Sequence, residues 1–157
     1  MAICGSRTPE DVSCACYHSG MSAVLAKGVL QMSGVERPSL DAWLAEAKRE
    51  ERAADTGMYL CHNGIVRSYS RDGRPVVSMD LSVDRVRLEE ILATARLMEG
   101  VTTVRVWVNE GHLEVGDDIM YVMVGGDIRP NVIEALTAIV AMIKSEVVTE
   151  HEIRPES

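Results

Sequence analysis

A nearly continuous apolar strand followed by a long apolar helix constrains the fold of this chain most. Residues Ile119 to Val124 are apolar apart from one tyrosine, which predicts a strand at the centre of a sheet. Pro130 suits the first turn of a helix, and the apolar run from Val132 to Ile143 predicts a helix that continues to about Val147. The segment from Thr149 is charged, so we expect a tail there. The helix must pack its apolar face on the sheet.

The remaining segments alternate between helical and strand-like patterns. Ser39 can cap a helix, Gly64 indicates a bulge or a close backbone approach in a strand, and Asp72-Gly73 signals a turn. The other predicted elements are helices over residues 39–54 and 84–98 and strands over residues 58–66, 76–81 and 104–108, with a short segment at Leu113. The order α-β-β-α-β-β-α with hairpin-like links predicts an α+β fold with helices packed against a largely antiparallel sheet.

The composition fits one domain with an aliphatic core. A length of 157 residues suits a single domain, and 46% apolar residues without phenylalanine predict a core of Val, Ile, Leu, Met and Ala. The net charge of −8, without a run of Lys or Arg among aromatics, argues against a nucleic-acid surface. No stretch has the length of a membrane span and no signal peptide is recognised, so we expect a cytoplasmic protein that does not bind membranes. The negative net charge does not exclude a small anionic ligand, because a few suitably positioned arginines can bind phosphate.

The N-terminal segment differs from the rest of the chain. Residues 1–37 mix small and polar residues without periodicity, so we expect a poorly ordered extension there, an α+β domain over residues 38–153 and a tail over residues 154–157. Met21 and Met32 are alternative starts.

The four cysteines do not form a recognised metal motif. Cys14 and Cys16 could both be ligands of one metal ion, but no second ligand pair follows at the spacing of a zinc site. We therefore expect Cys4, Cys14, Cys16 and Cys61 to be reduced thiols, with no metal and no cofactor.

Lys144 is the candidate for acid/base or covalent chemistry. It is the only lysine after Lys48, in a chain that has 13 arginines and 3 lysines. Lysine becomes reactive when its ammonium group is desolvated. The alternative is a solvated lysine in the last helical turn, where its charge complements the helix dipole.

Arg129 and Arg67 are candidate anion-binding residues. Arg129 precedes the amide-rich N-terminus of the last helix, where phosphate or carboxylate groups bind readily, although an ion pair with Asp127 or Glu134 would explain it equally well. Arg67 follows the strand that contains Gly64, and a solvated charge at the strand end is its alternative.

His151 and His62 are the histidines considered for chemistry. His151 lies past the helix end, seven residues after Lys144, and could shuttle a proton or simply be exposed in the tail. His62 is expected to be packed and hydrogen-bonded. Arg129 and Lys144 are about 22 Å apart along one helix. A site that uses both therefore needs an extended substrate or a second subunit.

The chain resembles the large subunit of molybdopterin synthase, the MoaE-type family, over about residues 39–153. The segment Gly111–Asp118 resembles the family's Gly-x-Leu-x-Val-Gly-Glu/Asp segment, and Gly64–Arg67 resembles its Gly-x-Val-Arg strand end. Arg129 matches the arginine of the family's His-Arg pair, and the helix that follows ends in Ile143-Lys144.

The resemblance implies an α+β fold, a homodimer and a sulfur-transfer reaction. A small ubiquitin-like subunit would insert its C-terminal Gly-Gly thiocarboxylate into a pocket of the large subunit. Two sulfurs would pass to cyclic pyranopterin monophosphate, which gives the dithiolene of molybdopterin. By this resemblance, Arg67 and Arg129 bind substrate, Lys144 is the catalytic lysine, and His151 stands where a second lysine is expected.

Two departures leave alternatives open. Ile128 replaces the histidine of the His-Arg pair, and the chain stops at Ser157, before the stretch that helps to close the family's pocket. A MoaE-like module that keeps the dimer and the partner groove without catalysis is the first alternative. A generic α+β domain that senses a small anion through Arg129 is the second.

Overall fold

Two β-sheets and three α-helices build the computed structural model, which describes residues 30–31 and 36–155. The elements are, in chain order, β1 (Leu30–Gln31), α1 (Leu40–Ala47), β2 (Met58–Ile65), β3 (Ser78–Val83), α2 (Arg85–Ala95), β4 (Val101–Val108), β5 (Gly111–Glu114), β6 (Asp118–Gly126), α3 (Arg129–Met142) and β7 (Val148–Ile153). A 3-10 turn, Glu51–Asp55, precedes β2, and a π-helical turn, Ile143–Val147, joins α3 to β7. Among these residues, no helix is long and apolar enough to cross a membrane.

The larger sheet has the order β1-β4-β6-β2. β6 is antiparallel to both β4 and β2, which confirms the central strand that its apolar run predicted. Its residues are buried from Ile119 to Gly126. The pairing of β2 with β6 shifts between Gly64 and Ile65, so the bulge predicted at Gly64 is present. β1 pairs in parallel with β4.

The smaller sheet, with the order β5-β3-β7, contains a strand that the sequence interpretation missed. The charged segment predicted as a tail from Thr149 is β7, which pairs with β3 from Val83↔Val148 to Ser78↔Ile153. The expectation of a tail was wrong because most side chains of β7 are polar, so its pairing depends on the free edge of β3 rather than on an apolar face.

The helices cover the two faces of the larger sheet with different cores. α2 and α3 pack on one face through a cluster made of Val, Leu, Ile, Met and Ala, which confirms the predicted aliphatic core. α1 covers the other face, where Trp43 and Ala47 pack on Trp107, Tyr121 and Met123.

Two helix ends differ from the predicted boundaries. Ser39 caps α1 as predicted, since its Oγ accepts a hydrogen bond from the Ala42 amide at 3.2 Å. The helix ends at Ala47 rather than near residue 54, because Glu50 is extended and a separate 3-10 turn follows. α3 begins as predicted with proline in its first turn, and its last predicted turn widens into the π-helical turn.

The predictions for the N-terminal extension concern residues that lie mostly outside the described ones. Residues 1–29 and 32–35 are not described, and they include Cys4, Cys14, Cys16 and both alternative starts. Cys61 is a free, exposed cysteine on β2, and its partial burial raises the pKa of the thiol.

Candidate active-site groove

A groove of about 950 Å³ opens where the end of β2, the π-helical turn and β7 meet. Its chemistry is carried by the following lining residues, which define the groove: Arg67, Tyr69, Arg71, Lys144, Glu150 and His151. Arg154, Asp72 and Glu152 also line it, and Met79 and Ile119 supply apolar surface. The groove is therefore a polar cleft built on the edge of the aliphatic core.

Lys144 projects into the groove from the π-helical turn. Ile143 and Val147, at the two ends of this turn, are buried, whereas Lys144 between them is exposed. Its Nζ lies 3.0 Å from Oε1 of Glu150, and the side chains of the two residues are 34% and 32% exposed. Glu150 was not predicted as a site residue, because its contact with Lys144 depends on β7, which the sequence did not reveal.

Arg67 is placed by the end of β2. The preceding residue, Val66, is buried, and its amide donates to the Asp117 carbonyl at 3.0 Å while its carbonyl accepts from the Gly116 amide at 2.9 Å. The guanidinium carbon of Arg67 lies 5.2 Å from the centre of the Tyr69 ring, a cation–π contact that orients the group without neutralising it.

The other arginines of the groove also lack ion pairs. In the described part of the chain, Arg67, Arg71 and Arg154 have no carboxylate within ion-pair distance. The nearby carboxylate of Asp72 is occupied by Arg74. A hydrogen bond from Ser70 is the main cause of the lowered pKa of Asp72, and the charges of Arg74 and Arg154 add to it. A chain of net charge −8 thus gathers unpaired guanidinium groups in one groove.

His151 lines the groove from β7, and among the described residues the hydrogen bond of Lys144 goes to Glu150 and not to His151. It lies directly opposite Asp80 in the register of β3 and β7. Successive side chains of a strand point to opposite faces, so His151 and its neighbour Glu150 lie on different faces of the small sheet. The group that meets the Lys144 ammonium is therefore the carboxylate of Glu150.

Arg129 lies away from the groove. It is the first residue of α3, about 22 Å along the helix from Lys144. Neither of the ion pairs considered for it forms within the described residues: the Asp127 carboxylate instead accepts hydrogen bonds from the Ile128 amide and the Asn131 side chain, at 2.5 and 3.0 Å. The structure thus brings together Arg67, Lys144 and His151 and leaves Arg129 at the other end of the helix.

His62 is packed, as expected, but one of its ring nitrogens is not hydrogen-bonded. Its Nε2 is buried and has no hydrogen-bond partner among the described residues, which corrects that part of the expectation. The ring folds along β2, with Nε2 3.4 Å from the point where a Cβ would stand on Gly64. Desolvation lowers the pKa of His62, and the charge of Lys144 lowers it further. The environment of His62 therefore favours the neutral form of its imidazole, and the charge of Lys144 contributes to this.

No metal centre is evident in the described part of the molecule. No group of three or more His, Cys, Asp or Glu residues is arranged to hold an ion there. The chemistry available to the groove is that of its arginines, the Lys144–Glu150 ion pair and the imidazole of His151.

Residues 36–146 match the family model described as MoaE protein. No curated protein sequence is significantly similar to the chain. The matched segment includes Arg67, Arg129 and Lys144, and it ends before β7.

Solved structures share this architecture at low sequence identity. Molybdopterin synthase from Staphylococcus aureus is 19% identical, with a TM-score of 0.61 over 78% of this chain and 90% of that chain. The MoaE protein from Burkholderia ambifaria MC40-6 is 21% identical, with a TM-score of 0.61 over 80% and 85%. A chain from the complex of subunits 1 and 2 of the molybdopterin-converting factor from Helicobacter pylori 26695 is 18% identical, with a TM-score of 0.58 over 75% and 77%. These similarities confirm the predicted α+β fold.

Proposed function

The chain belongs to the MoaE protein family, and on this premise we propose that it is the large subunit of a molybdopterin synthase. Membership of the family supports a role in molybdopterin biosynthesis. The proposed reaction moves sulfur from the C-terminal thiocarboxylate of a small ubiquitin-like subunit to cyclic pyranopterin monophosphate, and we expect it to take place in the cytoplasm.

The observation that carries the proposal is the meeting of Lys144 and Arg67 in one groove. The two residues are far apart in the sequence, and β2, the π-helical turn and β7 bring them to the same cleft. Guanidinium groups without ion pairs suit a substrate that carries a phosphate, because they donate several charge-assisted hydrogen bonds. Among the described residues that line the groove, Lys144 has the one ammonium group, and it can donate a proton to, or take one from, a reacting group.

The remaining proposed site residues have supporting roles. His151 is proposed to exchange protons with solvent at the groove edge. Arg129 of the same chain is too far away to reach a substrate held beside Lys144. We propose that the protein is a homodimer in which Arg129 binds substrate at a groove that two chains share.

Reconstitution tests the proposed function directly. The purified protein would be mixed with a thiocarboxylated small subunit and cyclic pyranopterin monophosphate, and molybdopterin would be measured. We expect product from the unmodified chain and at least about a hundredfold loss of rate in Lys144→Ala, because a positioned acid/base group contributes this much or more. Lys48→Ala is the matched control, since Lys48 is an exposed lysine at the end of α1. Unchanged turnover in Lys144→Ala would remove the role assigned to this lysine.

A non-catalytic module is the second candidate, and the Lys144–Glu150 ion pair favours it. Because Lys144 already forms an ion pair with a carboxylate, its ammonium group is less available to bind a substrate or to transfer a proton to it. Ile128, which is exposed before α3, offers no proton-transfer group in place of the family's histidine. Tight binding of the small subunit without any product would support this candidate, and multiple turnover would exclude it.

A further inference from the structure

Glu150 is the residue whose carboxylate forms the ion pair with Lys144, and its backbone is held by strand pairing. Its backbone belongs to β7 and lies opposite Leu81 of β3, whose side chain is buried in the aliphatic core. Lys144 is fixed at its base as well, because the π-helical turn that carries it is anchored by buried Ile143 and Val147. The flexible parts of this arrangement are the two side chains, and the 3.0 Å contact joins their ends.

Glu152 provides a comparison within the same strand. It lies two residues from Glu150, so both side chains are on the same face of β7, and both line the groove. Among the described residues, Glu152 has no ion-pair partner, whereas Glu150 has Lys144. The two carboxylates therefore share charge, strand and face, and they differ in their contact with the lysine.

A titratable group whose pKa responds to the charge of Lys144 lies on the helix-covered face of the larger sheet. His62 pairs with Val122 of β6, whose side chain belongs to the aliphatic core beneath α3. Its buried Nε2 has no hydrogen-bond partner within the described residues, and the charge of Lys144 affects its pKa. The pKa of His62 therefore reports on the charge of Lys144.

We propose that Glu150 is the positioning residue of Lys144: it holds the ammonium group on the β7 wall of the groove. This inference rests on the proposed function for its catalytic consequence, but the geometry on which it depends does not. Lys144 held in this way acts at one place in the groove, which reduces the number of orientations that a bound substrate must sample.

Steady-state kinetics test the catalytic consequence. Glu150→Gln keeps the size of the side chain and removes its charge, so we expect a kcat about tenfold lower with KM changed by less than about twofold, because positioning acts on the reacting step. Glu89→Gln, at an exposed glutamate of α2 outside the groove, should change neither constant by more than about twofold. A raised KM with unchanged kcat in Glu150→Gln would assign Glu150 to substrate binding and overturn the inference.

The pKa of His62 gives a readout that does not depend on turnover. The pKa would be measured by NMR titration of the His62 imidazole signals, which are assigned by their loss in His62→Gln. The effect of Glu150→Gln would be measured in two backgrounds: the unmodified chain and Lys144→Met. If Glu150 restrains Lys144, its removal moves the ammonium charge relative to His62, so Glu150→Gln changes the pKa of His62 by amounts that differ between the two backgrounds by over about 0.3. Glu152→Gln should lower it equally in both backgrounds.

Equal effects of Glu150→Gln in the two backgrounds would overturn the inference, because the carboxylate would then act on His62 only through its own charge. This result is separate from failure of the proposed function. A protein that makes no molybdopterin with any partner refutes the synthase, while the titration still shows whether Glu150 positions Lys144.

Discussion

Arginine has opposite roles beneath α1 and in the groove. Beneath α1, the side chain of Arg105 is 5% exposed, and its two terminal nitrogens donate to Glu46 at 2.5 Å and Glu50 at 2.6 Å. In the groove, Arg67 rests on the ring of Tyr69, and no carboxylate in the described part of the chain is within ion-pair distance of it. One guanidinium group is buried and fully paired, and the other is exposed and unpaired.

The difference separates charges that hold the fold together from charges that are available to a ligand. A buried charge needs partners from the protein itself, because burial without them is costly. Glu46 lies in α1 and Glu50 lies three residues after its end, so the two ion pairs of Arg105 attach α1 and the segment that follows it to β4. An unpaired charge beside a cleft costs little while water solvates it, and it gains a partner when an anion binds.

Removal of Arg105 should have the largest effect on stability. Arg105→Ala loses two charge-assisted hydrogen bonds and the packing of the buried side-chain stem, so we expect the free energy of unfolding to fall by about 2–3 kcal/mol. Urea denaturation would measure it. The loss is limited because Glu46 and Glu50 are partly exposed and regain water. Arg105→Met restores much of the packing of the side chain but not its hydrogen bonds. Arg49→Ala removes an exposed arginine near the same helix and should change the free energy of unfolding by less than about 0.5 kcal/mol. A loss as small as that of Arg49→Ala would contradict the structural role of Arg105.

Removal of Arg67 should show the reverse pattern. We expect Arg67→Ala to raise KM for cyclic pyranopterin monophosphate about tenfold or more, which corresponds to about 1.4 kcal/mol of lost binding to one charged group. The free energy of unfolding should fall by less than about 1 kcal/mol, because only an exposed cation–π contact is lost. Arg96→Ala, at the end of α2, is the control for removing an exposed arginine outside the groove. A stability loss without a change in KM would mean that Arg67 has a structural role, as Arg105 does, and would contradict the difference drawn between the two arginines.

The sequence predicted most of the fold because its strongest patterns are apolar. The central strand β6, the cap at Ser39 and the bulge at Gly64 each have a local cause in the residues concerned, and the structure confirms them. β7 was missed because its polar side chains carry no apolar signal. Its position depends on the edge of β3 that β5 leaves free, which is a feature of the folded sheet.

The candidate site was predictable to the same extent. The resemblance to a family singled out Arg67 and Lys144, and the structure places both in one groove. Neither the partner of Lys144 nor the unpaired nitrogen of His62 could be read from the sequence. Both depend on contacts between elements, and Glu150 belongs to the strand that was missed.

Asp118 extends the comparison to a paired carboxylate, and its removal is expected to have the smallest effect of the three substitutions. Its carboxylate accepts hydrogen bonds from Arg37 at 2.7 Å, Asn63 at 2.8 Å and Tyr121 at 2.6 Å, so it is a paired charge like Arg105. Burial acts to raise its pKa, but the hydrogen bonds from Tyr121, Arg37 and Asn63 outweigh burial and lower the pKa below its usual value of 3.8. The folded state therefore prefers the ionised carboxylate more strongly than the unfolded state does.

A lowered pKa makes this contribution depend on pH in one direction. The stabilisation is fully present above the usual pKa of aspartate, and it is lost as pH falls through the lower pKa of the folded state. Asp118→Asn should therefore reduce the free energy of unfolding by about 1 kcal/mol at pH 7, and the difference should shrink as pH falls below about 4. Urea denaturation at pH 7, 5 and 3 would measure both values, and Tyr121→Phe, which removes one donor, should show a smaller effect of the same sign. A difference that stays constant down to pH 3 would mean that Asp118 contributes through its shape rather than through its charge, and that pairing of charges does not explain how this side of the molecule is held.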